Sequence, residues 1–270
     1  MKKVIGLFFT SLVLSLNSIA QTNISAPYSL PEYLQSISVQ IQTTSGKGSG
    51  VAFTRKDSTG TNNITFIWSV GHIFEYETNN FINNILFGKS TVREIMPYCL
   101  IYQDVSINGE VVGETNALLR LIKYSEDYKN DLSLSVLECQ FFNTNTAVFD
   151  LSKRIPKIGE KLYNVSSPRG ERNTYSECVY SYIGRKMHEY LFDQTGCVIF
   201  PGSSGGGFYS ITGQCVGLTD SMREPAMNYM VPIRRIQKWA KDENIEWALD
   251  PTLPIPTAKQ IGEIPLHSNE

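Results

Sequence analysis

The chain is poor in the residues from which metal and redox sites are built. Three histidines, His72, His188 and His267, are scattered over 270 residues, and none stands beside cysteines or acids at ligand spacing, which argues against a zinc site. Five cysteines, Cys99, Cys139, Cys178, Cys197 and Cys215, lie too far apart for a C-x-x-C pair. An odd number leaves at least one thiol unpaired, and buried small hydrophobes with one bridge are the plain expectation. Neither sign of charge dominates, with 24 Lys and Arg against 26 Asp and Glu. Nothing here is built to neutralise a phosphate backbone, so a nucleic-acid partner is disfavoured. Repeats and low-complexity blocks are missing too, and 41% hydrophobic with 19% charged residues is an ordinary globular balance. No cofactor is implied.

One long apolar run exists, and it lies at the start. Met1, Lys2 and Lys3 precede an uncharged stretch from Val4 to Leu16, and small residues at Ser18 and Ala20 form a cleavage pattern before Gln21. Residues 1–20 are expected to be a secretory signal peptide, the alternative being an N-terminal membrane anchor. No cysteine lies near the cut to mark a lipoprotein. The cleaved chain is expected in the periplasm or outside the cell, with no membrane association, where a disulfide can form.

Beyond the leader the chain reads as short alternating or apolar runs broken by Gly, Asn, Asp and Pro, the pattern of an antiparallel barrel protein. Strands are expected around Ile37–Ile41, Val51–Phe53, Thr65–Val70, Val105–Val112, Ala117–Lys123 and Leu132–Leu137, and later around Lys161–Val165, Glu177–Tyr182, His188–Phe192, Gly207–Tyr209, Cys215–Leu218 and Tyr229–Pro232. One helix is expected from Ile233 to Leu249, with Pro232 at its start. The tail from Asp250 holds Pro251, Pro254, Pro256 and Pro265 and is expected to run over the surface or to be loose at its end.

Three local signals carry chemistry. In Phe200-Pro201-Gly202-Ser203-Ser204-Gly205-Gly206-Gly207, glycines before and after Ser204 allow the tight turn that holds a nucleophilic hydroxyl forward, and the N–H groups of Gly202 and Ser204 are placed to receive an oxyanion. Trp68-Ser69-Val70-Gly71-His72 puts an imidazole directly after an apolar strand, and Asn130-Asp131-Leu132 puts an acid at the opening of another. Separately each has a bland reading as loop, structural histidine or turn acid. Together they stand in the order His72, Asp131, Ser204, one of the orders in which a Ser-His-Asp triad occurs. Asp127 is the alternative acid.

On these residues the sequence resembles the chymotrypsin-fold (trypsin-like) serine endopeptidases, nearest the bacterial HtrA/Deg and glutamyl-endopeptidase branch, over about Ile37 to Trp247. Further motifs fall in the family's order: Gly48-Ser49-Gly50-Val51, Gly159-Glu160-Lys161-Leu162-Tyr163, Ser167-Pro168-Arg169-Gly170, Gly213-Gln214-Cys215-Val216-Gly217-Leu218 and Tyr229-Met230-Val231-Pro232-Ile233. The resemblance implies an all-β fold of two packed antiparallel six-stranded barrels with a C-terminal helix. The first barrel would occupy 37–150 after an N-terminal segment at 21–36, and the second barrel with its helix 151–249, followed by the tail at 250–270; no PDZ module is expected.

It also implies an endopeptidase acting on polypeptides, with catalytic His72, Asp131 and Ser204 and an oxyanion hole at Gly202 and Ser204. By position, Val198 would lie at the base of the primary specificity pocket and Thr219, Asp220 and Ser221 along its walls, favouring a small or apolar P1 residue. The chain departs from the family in carrying Gly71 where Ala is usual, expected to loosen the strand end slightly. It also has Ser203 in place of the Asp of zymogen enzymes, and it lacks Ile-Val-Gly-Gly, so activation by an inserted N-terminus is not expected. A protease-fold binding protein without activity is the alternative; an esterase of α/β-hydrolase type is disfavoured by the residue order.

Overall fold

Alternating segments close into two rings of strands in the computed structural model, which describes residues 29–79, 91–107, 110–126, 129–138, 145–187, 189–224 and 227–265. Strands β1 (Ser38–Gln42), β2 (Lys47–Lys56) and β3 (Asn63–Ser69) are followed by β4 (Glu75–Asn79) and β5 (Thr91–Ile95), which pair with each other, and then by β6 (Tyr98–Ile107), β7 (Glu110–Ser125) and β8 (Leu132–Leu137). The first barrel closes in the order β1-β2-β3-β8-β7-β6. The second is built from β9 (Val148–Phe149), β10 (Lys161–Ser166), β11 (Thr174–Met187), β12 (Tyr190–Thr195), β13 (Gly207–Tyr209), β14 (Gln214–Glu224) and β15 (Met227–Pro232). Its ring runs β13-β10-β11-β12-β15-β14 and is closed by β13–β14 pairing, with β9 added parallel to β14. Two six-stranded antiparallel barrels in an all-β chain are what the periodicity and the resemblance predict.

The helix α2 (Ile233–Asp242) leaves the second barrel and covers the first. Its stripe of Ile233, Ile236, Trp239 and Ala240 is buried, and Trp239 meets the fully buried Trp68 of β3 edge-to-face at 5.9 Å. The Trp68 indole donates to the Ala248 carbonyl at 2.7 Å, so the long aromatic is buried without leaving its N–H unpaired. Aromatic packing therefore ties the end of the chain to the strand that precedes His72.

Several elements differ from expectation. The run Val105–Val112 is not one strand but the meeting of β6 and β7, whose Ile107 and Glu110 face each other across a hairpin; Asn108-Gly109, the commonest hairpin dipeptide, was the available signal. The helix stops at Asp242 rather than Leu249, because Asn244 turns into the left-handed region at φ 58 and the Ile245 N–H reaches back to the Ala240 carbonyl at 2.8 Å, a helix-ending arrangement that Asn tolerates. A short helix α1 (Leu30–Ser36), capped by Ser29 and Glu32, occupies the N-terminal segment.

The described part of the tail runs along the protein, and its last five residues lie outside the described residues. It contains α3 (Ala258–Gly262), and Ile255 and Ile261 are buried. Cys178 and Cys197 form a disulfide, while Cys99 and Cys215 are buried free thiols, each pushed up to about 12 by burial; Cys139 lies outside the described residues. Among the described residues no helix is long and apolar enough to cross a membrane.

Arg55, near the end of β2, fastens the tail. Its guanidinium donates to the carbonyls of Trp247 (2.6 Å), Asp250 (3.1 Å), Pro251 (3.3 Å) and Leu253 (2.7 Å). An Arg55→Ala variant should lose about 1–3 kcal/mol of stability and become sensitive to limited proteolysis after residue 249; urea unfolding and mass spectrometry of the fragments check both.

Candidate active site

His72 opens a 3-10 turn, His72–Phe74, directly after β3, with Gly71 at its N-cap. The glycine is a requirement and does not loosen the strand: a Cβ at Gly71 would lie 2.1 Å from the Ser125 carbonyl oxygen at the end of β7. The expectation drawn from the missing alanine is thereby corrected, since here β7 comes too close for any side chain.

Asp131 sits on the turn between β7 and β8 with φ 48 and no exposed surface. Asp is among the residues that adopt this left-handed backbone at tolerable cost. The turn is held by the Asp131 N–H on the Glu126 carbonyl at 3.0 Å and by Arg235 of α2, whose guanidinium donates to the carbonyls of Lys129 (3.2 Å) and Asn130 (2.5 Å). So fixed, the carboxylate takes two bonds from one residue. Its Oδ1 accepts the His72 backbone N–H at 2.8 Å and its Oδ2 lies 2.8 Å from His72 Nδ1. The first bond sets the backbone of the histidine and the second its ring, leaving Nε2 as the nitrogen turned to other work. The Asp131 side chain is 1% exposed and that of His72 30%, so the acid is dry and the base accessible. Asp127 lies outside the described residues.

The loop carrying Ser204 is shaped by glycines at φ 97 (Gly202) and 85 (Gly205). A Cβ on Gly205 would stand 2.0 Å from Ser69 Oγ and 2.2 Å from the Ser49 carbonyl oxygen, so the loop presses against the β2–β3 edge of the first barrel, three residues before His72. Ser203 is buried and its N–H bonds the Phe200 carbonyl at 2.9 Å, while Ser204 is half-exposed. Gly205 and Gly206 N–H groups are spent on the Thr219 and Ser203 carbonyls. Among the described residues the N–H groups of Gly202 and Ser204 have no acceptor in the protein. The Ser204 hydroxyl donates to the Asp220 carbonyl of β14 at 3.2 Å.

Ser49 joins these parts and was not singled out from the sequence as a site residue. Its N–H donates to the Ser204 carbonyl at 2.7 Å. Its hydroxyl donates to the Gly202 carbonyl (2.8 Å) and accepts the Ser167 N–H (2.8 Å). Its carbonyl accepts the Ser69 hydroxyl at 2.6 Å. The two carbonyls it holds lie on either side of the Ser203–Ser204 peptide, whose N–H has no acceptor among the described residues.

The residues expected around the specificity pocket are differently disposed. Val198 is 63% exposed. Thr219 is buried, with its hydroxyl accepting the Asn164 amide at 3.0 Å inside the second barrel, and Ser221 is half-exposed. Asp220 is 6% exposed, and its carboxyl is pushed up to about 7, first by burial and then by Asp131. Asn228, which no sequence motif marks, donates its amide to the Cys197 carbonyl and keeps a buried Oδ1 without a partner among the described residues. His188 lies outside the described residues.

No family model matches the chain, and no curated protein does. Solved structures do. Deg5 superposes with a TM-score of 0.57 at 18% identity, over 82% of this chain and 94% of that one. A serine endoprotease from Yersinia pestis gives 0.52 at 14%, over 82% and 68%. An inactive form of Rv3671c from M. tuberculosis H37Rv, with a serine replaced by alanine, gives 0.54 at 10%, over 85% and 94%. At such identities the likeness is one of fold, and the chain has the two-barrel, chymotrypsin-like fold that these proteins share.

Replacing Ser49 by alanine strands the Gly202 carbonyl and the Ser167 N–H at the seam between the barrels. The expected cost is about 1–3 kcal/mol, read as a lowered urea midpoint with an unchanged far-UV spectrum; an unaltered midpoint would mean that the loop holds its shape without the serine.

Proposed function

We propose that the chain is a serine endopeptidase that hydrolyses polypeptides through an acyl-enzyme, with Ser204 as nucleophile, His72 as general base and Asp131 as the acid that orients it. The observation that carries this reading is the double engagement of His72 by the buried Asp131, at 2.8 Å through both the backbone N–H and Nδ1. The glycine-shaped loop bearing Ser204 lies against the strand that delivers that histidine.

In this mechanism the Ser204 hydroxyl turns from the Asp220 carbonyl toward His72, and Oγ attacks the scissile carbonyl carbon as its proton passes to Nε2. Asp131 keeps the ring in the tautomer with Nδ1–H and stabilises the imidazolium. The new oxyanion takes the N–H groups of Gly202 and Ser204, an interaction of about 3 kcal/mol in comparable sites. Collapse breaks the C–N bond, and the leaving amine takes the proton from Nε2. Water then repeats the cycle on the acyl-Ser204 ester, releasing the acid and restoring the hydroxyl.

Preference for a small or apolar P1 residue rests on Val198, which brings no counter-charge for Lys or Arg. The leader pattern at residues 1–20 supports export to the periplasm or the medium.

A peptidyl organophosphonate should add once to the protein, on Ser204, and Ser204→Ala should lose the label together with a factor of at least about 10³ in kcat/KM on a mixed peptide library. Full activity in Ser204→Ala, or an unlabelled wild-type protein, overturns the reading in favour of a non-catalytic binding protein. The same library should show cleavage after small or apolar residues; a dominant preference for Lys or Arg overturns the role given to Val198. N-terminal sequencing of exported protein should begin at Gln21.

A further inference from the structure

The loop that carries Ser204 runs into β13, and β13 has a different neighbour on each side: Gly207 pairs with Val165 of β10 and with Leu218 of β14. On the β14 side the Ser204 hydroxyl meets the Asp220 carbonyl at 3.2 Å, and this is the flank on which the P1 pocket is read. On the β10 side the chain continues along the same loop through Ser167-Pro168-Arg169-Gly170. There the Arg169 N–H donates to the Pro201 carbonyl at 2.7 Å. A Cβ on Gly202 would lie 2.5 Å from the Ser167 carbonyl oxygen and 3.2 Å from the Arg169 nitrogen. A peptide bound with its scissile carbonyl on Gly202 and Ser204 leaves that point in two directions. With the P1 side chain toward β14, the residues of the leaving group pass over the β10 flank.

Two cations stand on that flank. Arg169 is exposed, with its guanidinium over the Phe200 ring at 4.4 Å. Such stacking occupies the face of the guanidinium and leaves its N–H edge, the part that grips a carboxylate, free. Lys47, exposed at the start of β2, lays its side chain across Gly170, where a Cβ would stand 2.9 Å from Nζ. The next residue, Gly48, meets the Ser204 loop from the first barrel, its Cβ position lying 3.3 Å from the Ser204 carbonyl oxygen. Among the described residues neither Lys47 nor Arg169 has an ion-pair partner. Glu171, the acid nearest in sequence, is exposed and engages neither. Arg172 on the same loop is neutralised, by Asp104 and Glu114 at 2.8 Å each. The loop thus spends one arginine on the first barrel and keeps the one beside Gly202 uncompensated.

We propose that Lys47 and Arg169 form a cationic subsite for the leaving-group side of the substrate, selecting polypeptides with Asp or Glu at P1′ and P2′. The inference rests on the peptidase reading above and deepens it, adding a charge preference after the scissile bond to an apolar one before it. An unpaired cation gains a partner only when an acidic segment binds, and stacking on Phe200 restricts the guanidinium beforehand, so less rotamer freedom is lost on binding.

The test uses quenched fluorescent peptides that share one acyl half and carry Glu-Glu, Gln-Gln or Lys-Lys at P1′ and P2′. With the wild-type chain at low salt, kcat/KM should fall in that order, Glu-Glu exceeding Gln-Gln by about 3–10-fold, the effect of two exposed ion pairs. The ratio should approach one in about 1 M salt, where the Debye length is about 3 Å. It should also approach one in Lys47→Gln/Arg169→Gln, and Arg169→Glu should bring Lys-Lys above Glu-Glu. Each ratio compares one protein with itself, so a change in its overall activity does not enter. A wild-type ratio of one overturns the proposal, and so does an acidic preference that persists in the double variant, which would place its source elsewhere. Organophosphonate labelling separates the two readings, since that probe has no primed residues. A labelled Ser204 without acidic preference removes the subsite and leaves the peptidase; an unlabelled, inactive wild type removes both.

Discussion

The geometry of the cleft depends on how the first barrel grips a loop of the second, and Ser49 is the grip. Hydrogen bonds across a barrel seam are individually worth about 1 kcal/mol, but these act on backbone orientation. With the carbonyls of Gly202 and Ser204 both drawn toward Ser49, the Ser203–Ser204 peptide between them cannot rotate freely, and the Ser204 N–H is left without an acceptor among the described residues. Glycine at 205 is what lets the loop come close enough, because any side chain would strike Ser69 and the Ser49 backbone. The same Ser69 ends the strand that leads to His72, so one seam positions the loop and the histidine together.

The second constraint is electrostatic. A left-handed turn, a fully buried carboxylate and a buried guanidinium are each unfavourable alone. They coexist because α2, docked by Trp239 on Trp68, brings Arg235 onto the carbonyls just before Asp131. Packing of the C-terminal helix is thus part of how the acid is held, which gives a reason for the chain to return across the first barrel after completing the second. A long tail, fastened by Arg55 and by Arg120 on the Ile261 carbonyl, continues over the same barrel.

Much of the fold was legible because strands declare themselves locally. The alternation in Leu132–Leu137 and the bounded run Gly207–Tyr209 coincide with β8 and β13, since a period of two needs no knowledge of the partner strand. Local periodicity misleads where a turn or a helix cap overrules it. The pairing of Ile107 with Glu110 divides one apparent strand, and Asn244 ends a helix whose apolar spacing continues through Trp247. Proline spacing marks the tail as a surface segment, and it gives no sign that Ile255 and Ile261 are buried.

By itself the sequence determined most of the barrel strands but not β4, β5 or β9, together with the glycine-bounded serine and the order of His72, Asp131 and Ser204, which are properties legible in short stretches. Only the tertiary structure decided what surrounds them. Ser49 meets Gly202 across 153 residues of chain, and Arg235 meets Asn130 across 105. Such contacts leave no periodic trace, because a single serine, aspartate or arginine looks the same in a strand whether it faces water or a buried partner. Gly71 makes the same point in reverse: read alone it was a small departure from a motif, and only the approach of the Ser125 carbonyl shows that nothing larger would fit.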